Sequence, residues 1–99
     1  MFTIEFSESV SEDLADLRAF DRKRILDHVE IQLAHDPTME TRNKKMLVGL
    51  NPPWEHAGPL WELRVGEFRV FYAVNEEELT VVIRAVRHKP PHKAIEEIL

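Results

Sequence analysis

The stretch from Leu60 to His88 constrains this chain more than any other. It reads LWELRVGEFRVFYAV, then NEEE, then LTVVIRAVRH. Apolar and polar residues alternate through its first half, the period-two pattern of a half-buried strand. Gly66-Glu67 falls where a two-residue hairpin turn belongs, with glycine first as a type II′ turn requires. That turn sets Val65 opposite Phe68, Arg64 opposite Arg69, Leu63 opposite Val70 and Trp61 opposite Tyr72. Opposed residues share a face. Trp61, Leu63, Val65, Phe68, Val70 and Tyr72 therefore make an apolar side, and Glu62, Arg64, Arg69 and Phe71 the other. A second turn at Asn75 to Glu78 places Arg84 opposite Arg69. Arg64, Arg69 and Arg84 then stand abreast on one sheet face, and His88, four residues along from Arg84, shares it. Like charges opposite one another destabilise a sheet, and an anion held between them offsets that cost.

The rest of the chain supplies what packs on this sheet. Phe2, Ile4 and Phe6 alternate with Thr3 and Glu5, which predicts a first strand. Ser9 and Glu12 have capping-box spacing and predict a helix from about Val10, with Val10, Leu14 and Leu17 inward and Glu12, Asp13 and Asp16 towards solvent. Asp21 reads as the cap of a second helix, with Phe20 and Ile25 at hydrophobic-staple spacing. Its buried stripe is Ile25, Val29 and Leu33, with Leu26, and Pro37 ends it. Thr38 to Pro59 has no clean period and reads as a long surface segment, with a short strand or turn around Lys45 to Leu50 and Trp54 as an anchor on the core. After Pro90-Pro91, His92 to Leu99 reads either as a short helix with Ala94, Ile95 and Ile98 on one side or as a tail.

Ninety-nine residues suit one domain spanning 1–99, with enough chain for a single core. The absence of cysteine excludes disulfides and thiolate metal sites and fits a reducing compartment. No apolar run approaches a membrane span and no early segment resembles a signal peptide, so a cytoplasmic protein without a membrane partner is expected. The net charge of -5 argues against a general nucleic-acid binder. Its distribution still leaves basic clusters at Arg42 to Lys45 and Arg84 to Lys93.

LWELRVGEFRVFY at 60–72 and VVIRAVRHKP at 81–90, in a chain ordered strand, helix, helix, meander, resemble the RelE/ParE superfamily of bacterial type II toxin–antitoxin toxins. The resemblance implies an α+β, RelE-like fold: an N-terminal strand and a two-helix hairpin packed on a twisted antiparallel sheet. It implies a toxin that inhibits translation as a ribosome-dependent endoribonuclease, an mRNA interferase working without metal or cofactor. The implied partners are messenger RNA, the ribosome and a cognate antitoxin with which it forms an oligomer. Two rival readings accompany it: a ParE-like protein that poisons gyrase, and a catalytically weak module that keeps only the antitoxin groove. By resemblance, Arg69 matches the arginine that contacts the scissile phosphate, Arg64 a basic hairpin position, and His88 and Lys89 a basic or histidine group at the end of the last strand. The chain departs from some relatives at Leu60 and Glu62, where those carry lysines, and it lacks a C-terminal tyrosine.

Metal-free RNA cleavage needs the 2′-hydroxyl deprotonated, the pentavalent phosphate stabilised and the 5′-oxygen protonated. Arginine suits the second task because its fork matches phosphate oxygens. Arg69, Arg64 and Arg84 are the candidates, with Lys89 adding charge. Each has a plain alternative: a surface arginine, or for Arg69 a salt bridge to Glu62 or Glu67. His88 suits proton transfer; otherwise it is a solvated strand-end side chain. Glu62 is either a base or a partner for Arg64 or Arg84. Lys44, Lys45 and Arg87 can follow an RNA backbone or simply keep the surface soluble. His88 and His92 have no third residue at metal-ligand spacing.

Overall fold

In the computed structural model, which describes residues 1–54 and 58–99, the hairpin forms in the expected register. Strand β3 (Leu60–Val65) pairs antiparallel with β4 (Phe68–Asn75), from Trp61 opposite Tyr72 to Val65 opposite Phe68. Gly66 has φ +59° and Glu67 stays outside the left-handed region, as a type II′ turn demands. Packing asks for the same glycine: a Cβ there would come within 2.8 Å of the Arg24 guanidinium.

Three further strands complete one sheet in the order β1-β5-β4-β3-β2. β1 (Thr3–Phe6) runs parallel to β5 (Thr80–His88), and β2 (Lys44–Leu47) lies antiparallel to β3. The sheet is thus an antiparallel meander with one parallel edge strand. The short strand expected near Lys45 is β2. Of the long segment Thr38 to Pro59, residues 55–57 lie outside the described residues.

The β4–β5 pairing differs from the expected one. Asn75 pairs with Thr80, so the turn spans Glu76 to Leu79, with Leu79 taking φ +52°. A bulge follows, with Phe71 opposite Ala85 but Tyr72 opposite Ile83. Arg84 is the extra residue of that bulge, and Arg69 faces Arg87 instead. Both causes are local turn and bulge chemistry that alternation alone does not reveal.

Helix α1 (Glu8–Ala15) begins two residues before the expected point, and its cap position, Ser7, does not cap it through the side chain. The Ser7 backbone N–H donates to Ile83 O and its hydroxyl to Arg84 O, so the end of β1 is pinned to β5 and the helix starts there. Helix α2 (Ala19–Leu33) also starts early, after Arg18. Phe20 then lies about 140° round the helix from Ile25, on 100° per residue. It is 75% exposed, so no staple forms. Ile25, Val29 and Leu33 are buried as expected. α3 (Ile95–Ile98) is the short C-terminal helix.

Two apolar clusters sandwich the sheet. The main core joins Val10, Ile25, Val29 and Leu33 of the helices to Trp61, Leu63, Val65, Val70, Tyr72, Val81, Ile83 and Val86. On the outer face Leu60, Phe71 and Ala85 lie under Leu47, Trp54, Ile95, Ile98 and Leu99. Trp54 is therefore an anchor, though on Phe71 of the outer face, 6.1 Å between ring centroids.

Leu63 has no exposed surface, so Leu63→Ala should cost about 2–5 kcal/mol in a denaturant titration. An unchanged midpoint would mean that the face assignment is reversed. Tyr72 gives a pH test. Its hydroxyl donates to Pro37 O at 2.7 Å in the core, and burial pushes its pKa well up. A group whose folded pKa is raised contributes stability that is whole below its unfolded value, about 10, and is lost as pH rises beyond it. Stability should therefore fall above about pH 10, and Tyr72→Phe should flatten that fall in melts taken across the alkaline range.

Candidate functional site

Three arginines do stand abreast, and they are Arg64, Arg69 and Arg87. The protein's own carboxylates answer two of them. Arg69, only 5% exposed, has its Nε 2.9 Å from Glu62 Oε1, an ion pair in which the N–H points off the line to the oxygen. Glu62 is opposite Phe71 and hence diagonal to Arg69, within reach of a long side chain. One Arg69 Nη donates to Gly66 O and Phe68 O, both at 2.9 Å, and so braces the turn. Burial, and then nearby Arg64, pulls the Arg69 pKa down, while Glu62 opposes the shift. Arg87 turns to Asp13 of α1, at 2.7 Å. Asp13 Oδ2 also accepts from the Val86 N–H, completing β5 where β1 no longer pairs.

Arg64 is left exposed, with no carboxylate partner among the described residues. It lines a cleft of about 370 Å³ with Gly66, Glu67, Arg69, Lys89 and Pro91. Lys89 is held there because its backbone N–H donates to Glu67 O at 2.6 Å. Three of the predicted residues thus meet: Arg64, Arg69 and Lys89. Lys45 is beside them, exposed, its Nζ 3.9 Å from Glu62 Oε2.

The others go elsewhere. His88 is opposite Phe68, so it belongs to the helix face, against the expectation that it shares the arginine face. There its Nε2 is 3.0 Å from Glu67 Oε2 and its ring packs on Phe68, in a cleft with Arg18, Asp21 and Arg24. Arg84 faces a cleft with Ala73, Asn75, Glu76, Glu77 and Val82, its Nε buried without a hydrogen bond among the described residues. Lys44 is buried, and its ammonium donates to Gln32 O and Asp36 O, capping the end of α2. Burial lowers its pKa, with Asp36 opposing. It is not on the surface that an RNA backbone would touch. Among the described residues no cluster of potential metal ligands occurs.

Sequence reasoning missed Asp13, assigned to solvent, and Arg24, whose place over Gly66 has no sequence signal. The Glu62–Arg69 pair is one of the two salt bridges the sequence offered as the plain alternative for Arg69, although Glu62 was also offered to Arg64 or Arg84.

The family model for the "ParE toxin of type II toxin-antitoxin system, parDE" matches residues 4–89. The chain belongs to this toxin family. No curated protein matches it. Among solved structures, the toxin is similar to the archaeal RelE–RelB complex from Pyrococcus horikoshii OT3, at 24% identity and TM-score 0.69, covering 94% of this chain and 98% of that one. It is similar to the toxin–antitoxin complex RelBE2 from Mycobacterium tuberculosis, at 27% identity and TM-score 0.69, covering 89% and 98%. It also matches the intact E. coli RelBE complex, at 15% identity and TM-score 0.59, covering 93% and 100%. The RelE/ParE assignment and the α+β fold both stand.

The buried pair gives a test of what Arg69 does for the toxin's fold. Arg69→Ala strands the Glu62 carboxylate and should cost about 3–5 kcal/mol, whereas the double change Glu62→Leu with Arg69→Met should recover most of it. Urea titrations of the two variants make the comparison. Equal stability of Arg69→Ala and wild type would show a pair that water already screens.

Proposed function

We propose that this toxin acts on messenger RNA, taking a phosphodiester into the cleft of Arg64, Arg69 and Lys89, and that it inhibits translation as an endoribonuclease on the ribosome. The observation that carries the reading is the cleft's charge. Two cations with no carboxylate partner among the described residues, Arg64 and Lys89, converge beside buried Arg69. Fixed cations beside a poorly solvated wall stabilise charge that grows on a phosphoryl group. Arg69 supports the other two by holding the turn as well as by its own charge. His88 is on the other face, so this reading gives it no contact with the phosphate.

The relatives named above were solved as RelE–RelB or RelBE toxin–antitoxin complexes. By analogy we assign this toxin an antitoxin partner, with an acidic segment over the cationic cleft, where opposite potentials favour encounter and register. A second reading has a specific ground. The family description is that of ParE, and the notion of a gyrase-directed ParE-like toxin fits a cleft without a histidine.

Primer extension on RNA from cells expressing the toxin separates them. Discrete cuts within translated codons are expected, with RNA intact for Arg64→Ala and strongly reduced cutting for Lys89→Ala. Each lost contact should cost about 10²–10³ in rate, with melting temperatures unchanged because both side chains line the open cleft. Loss of supercoiling with uncut RNA would select the gyrase reading instead.

A further inference from the structure

Towards the β4–β5 turn, two opposite charges line one cleft without meeting. Arg84, the extra residue of the β5 bulge, is half-buried, with its Nε enclosed. Among the described residues its side chain has no hydrogen bond and no carboxylate within ion-pair distance. Its backbone is held by the Ser7 hydroxyl, which donates to Arg84 O at 3.3 Å. Glu77, in the turn, is exposed, and its carboxylate is likewise unengaged among the described residues. Glu76 beside it accepts from the Thr38 hydroxyl at 3.3 Å. Ala73 and Val82, opposed on β4 and β5, line the same cleft, and Val82 lies between the turn and Arg84 along β5. The cleft holds about 540 Å³. A half-buried guanidinium left unpaired is unfavourable, and such groups in a folded protein ask for a water or a ligand.

A cation and an anion held apart in one cleft select a ligand by both. A bare anion drawn to Arg84 is repelled by Glu76 and Glu77, and a bare cation drawn to the glutamates is repelled by Arg84. The same carboxylates disfavour a polyanion such as RNA. A ligand with a carboxylate at one end, a cation at the other and methylenes between suits the whole cleft. Its carboxylate matches the guanidinium fork, and its aliphatic stem covers the apolar floor. Lysine has that form, from its main-chain carboxylate to Nζ. A free amino acid fits less well, because its α-ammonium adjoins the carboxylate and lies against Arg84. At the end of a polypeptide that group is an uncharged amide.

We propose that this cleft binds the C-terminal lysine of a partner polypeptide, with the terminal carboxylate on Arg84, the side-chain ammonium on Glu77 beside Glu76, and the stem over Ala73 and Val82. The site lies towards the other end of β4 from Arg69, apart from the cationic cleft, and does not rest on the messenger RNA reading. An internal lysine lacks the carboxylate, and a chain ending in an apolar residue lacks the cation. The site therefore reads the last residue of its partner.

Proton–nitrogen correlation NMR on the whole protein tests this through the Arg84 Nε–H signal, assigned through bonds from its backbone. The probes are Nα-acetyl-lysine, which mimics a chain end, Nα-acetyl-norleucine without the ammonium, Nα-acetyl-lysinamide without the carboxylate, free lysine and inorganic phosphate. Nα-acetyl-lysine should shift the signal saturably, with an affinity about threefold or more above either truncated analogue, the worth of one partly exposed ion pair. Free lysine and phosphate should bind more weakly than Nα-acetyl-lysine. Glu77→Gln, a change on the exposed turn, should remove most of the advantage over Nα-acetyl-norleucine while leaving that analogue's own affinity in place. No shift with Nα-acetyl-lysine, or equal affinity for it and either truncated analogue, overturns the inference, as does an advantage that Glu77→Gln leaves whole. Free lysine binding as tightly as Nα-acetyl-lysine would replace the chain end with a free amino acid, and phosphate doing so would reduce the cleft to a simple anion site; either result sinks the proposal.

Discussion

The register of the β3–β4 hairpin is the constraint on which the rest depends. Because side chains alternate with period two, a slip of one residue would send Leu63 and Val70 outward and Glu62 and Arg69 into the core. The glycine turn prevents that slip. Gly66 takes the left-handed conformation, accepts from Arg69 through its carbonyl and lies under the Arg24 guanidinium from α2. Basic side chains thus fasten the fold as well as charging it. Lys44, opposite Leu63 at the start of β2, does the same by donating to Gln32 O near the end of α2 and to Asp36 O just beyond it.

That use of basic side chains explains how a sheet tolerates three arginines in a row. Glu62 answers Arg69 from the diagonal position, and Asp13 draws Arg87 away to α1. The carboxylates offset the repulsion in the row without removing it, since Arg64 still lowers the pKa of Arg69. What remains positive is Arg64 with Lys89. The site is therefore smaller than a ladder of arginines and lies nearer the hairpin turn. An overall charge of -5 does not oppose it, since Glu76 to Glu78 form the β4–β5 turn, at the opposite end of β4 from Arg69. A charge distribution of this kind orients an approaching polyanion.

How far the sequence revealed this can be read residue by residue. The hairpin, both its faces and the α2 stripe were legible because each repeats a simple period over several residues, whereas the C-terminal segment, which forms the short α3, could be read as helix or tail. The β5 register was not, because it depends on a four-residue turn and on a bulge at Arg84, which leave no mark on hydrophobic alternation. That single error moved Arg84 into the row and His88 onto the wrong face. The helix starts failed for another reason: Ser7 is committed to β5, so tertiary hydrogen bonds override the local cap. At the site, Arg64, Arg69 and Lys89 were found from the hairpin and the family resemblance. Asp13 and Arg24 act only through chain segments distant in sequence, and nothing local marks them.

The fold by itself does not choose between RNA and gyrase, since one scaffold can carry unrelated activities. The choice has to come from the site, and there the least economical feature is the most informative. Natural sequences satisfy their buried polar groups, and departures from that rule concentrate where function requires them. A surface that had only to hold an antitoxin would gain nothing from Glu62 in place of an apolar residue, and replacing a buried ion pair with apolar side chains is often neutral or stabilising. Here the pair sits in the wall of the cationic cleft, with one carboxylate oxygen committed to Arg69 and the other uncommitted.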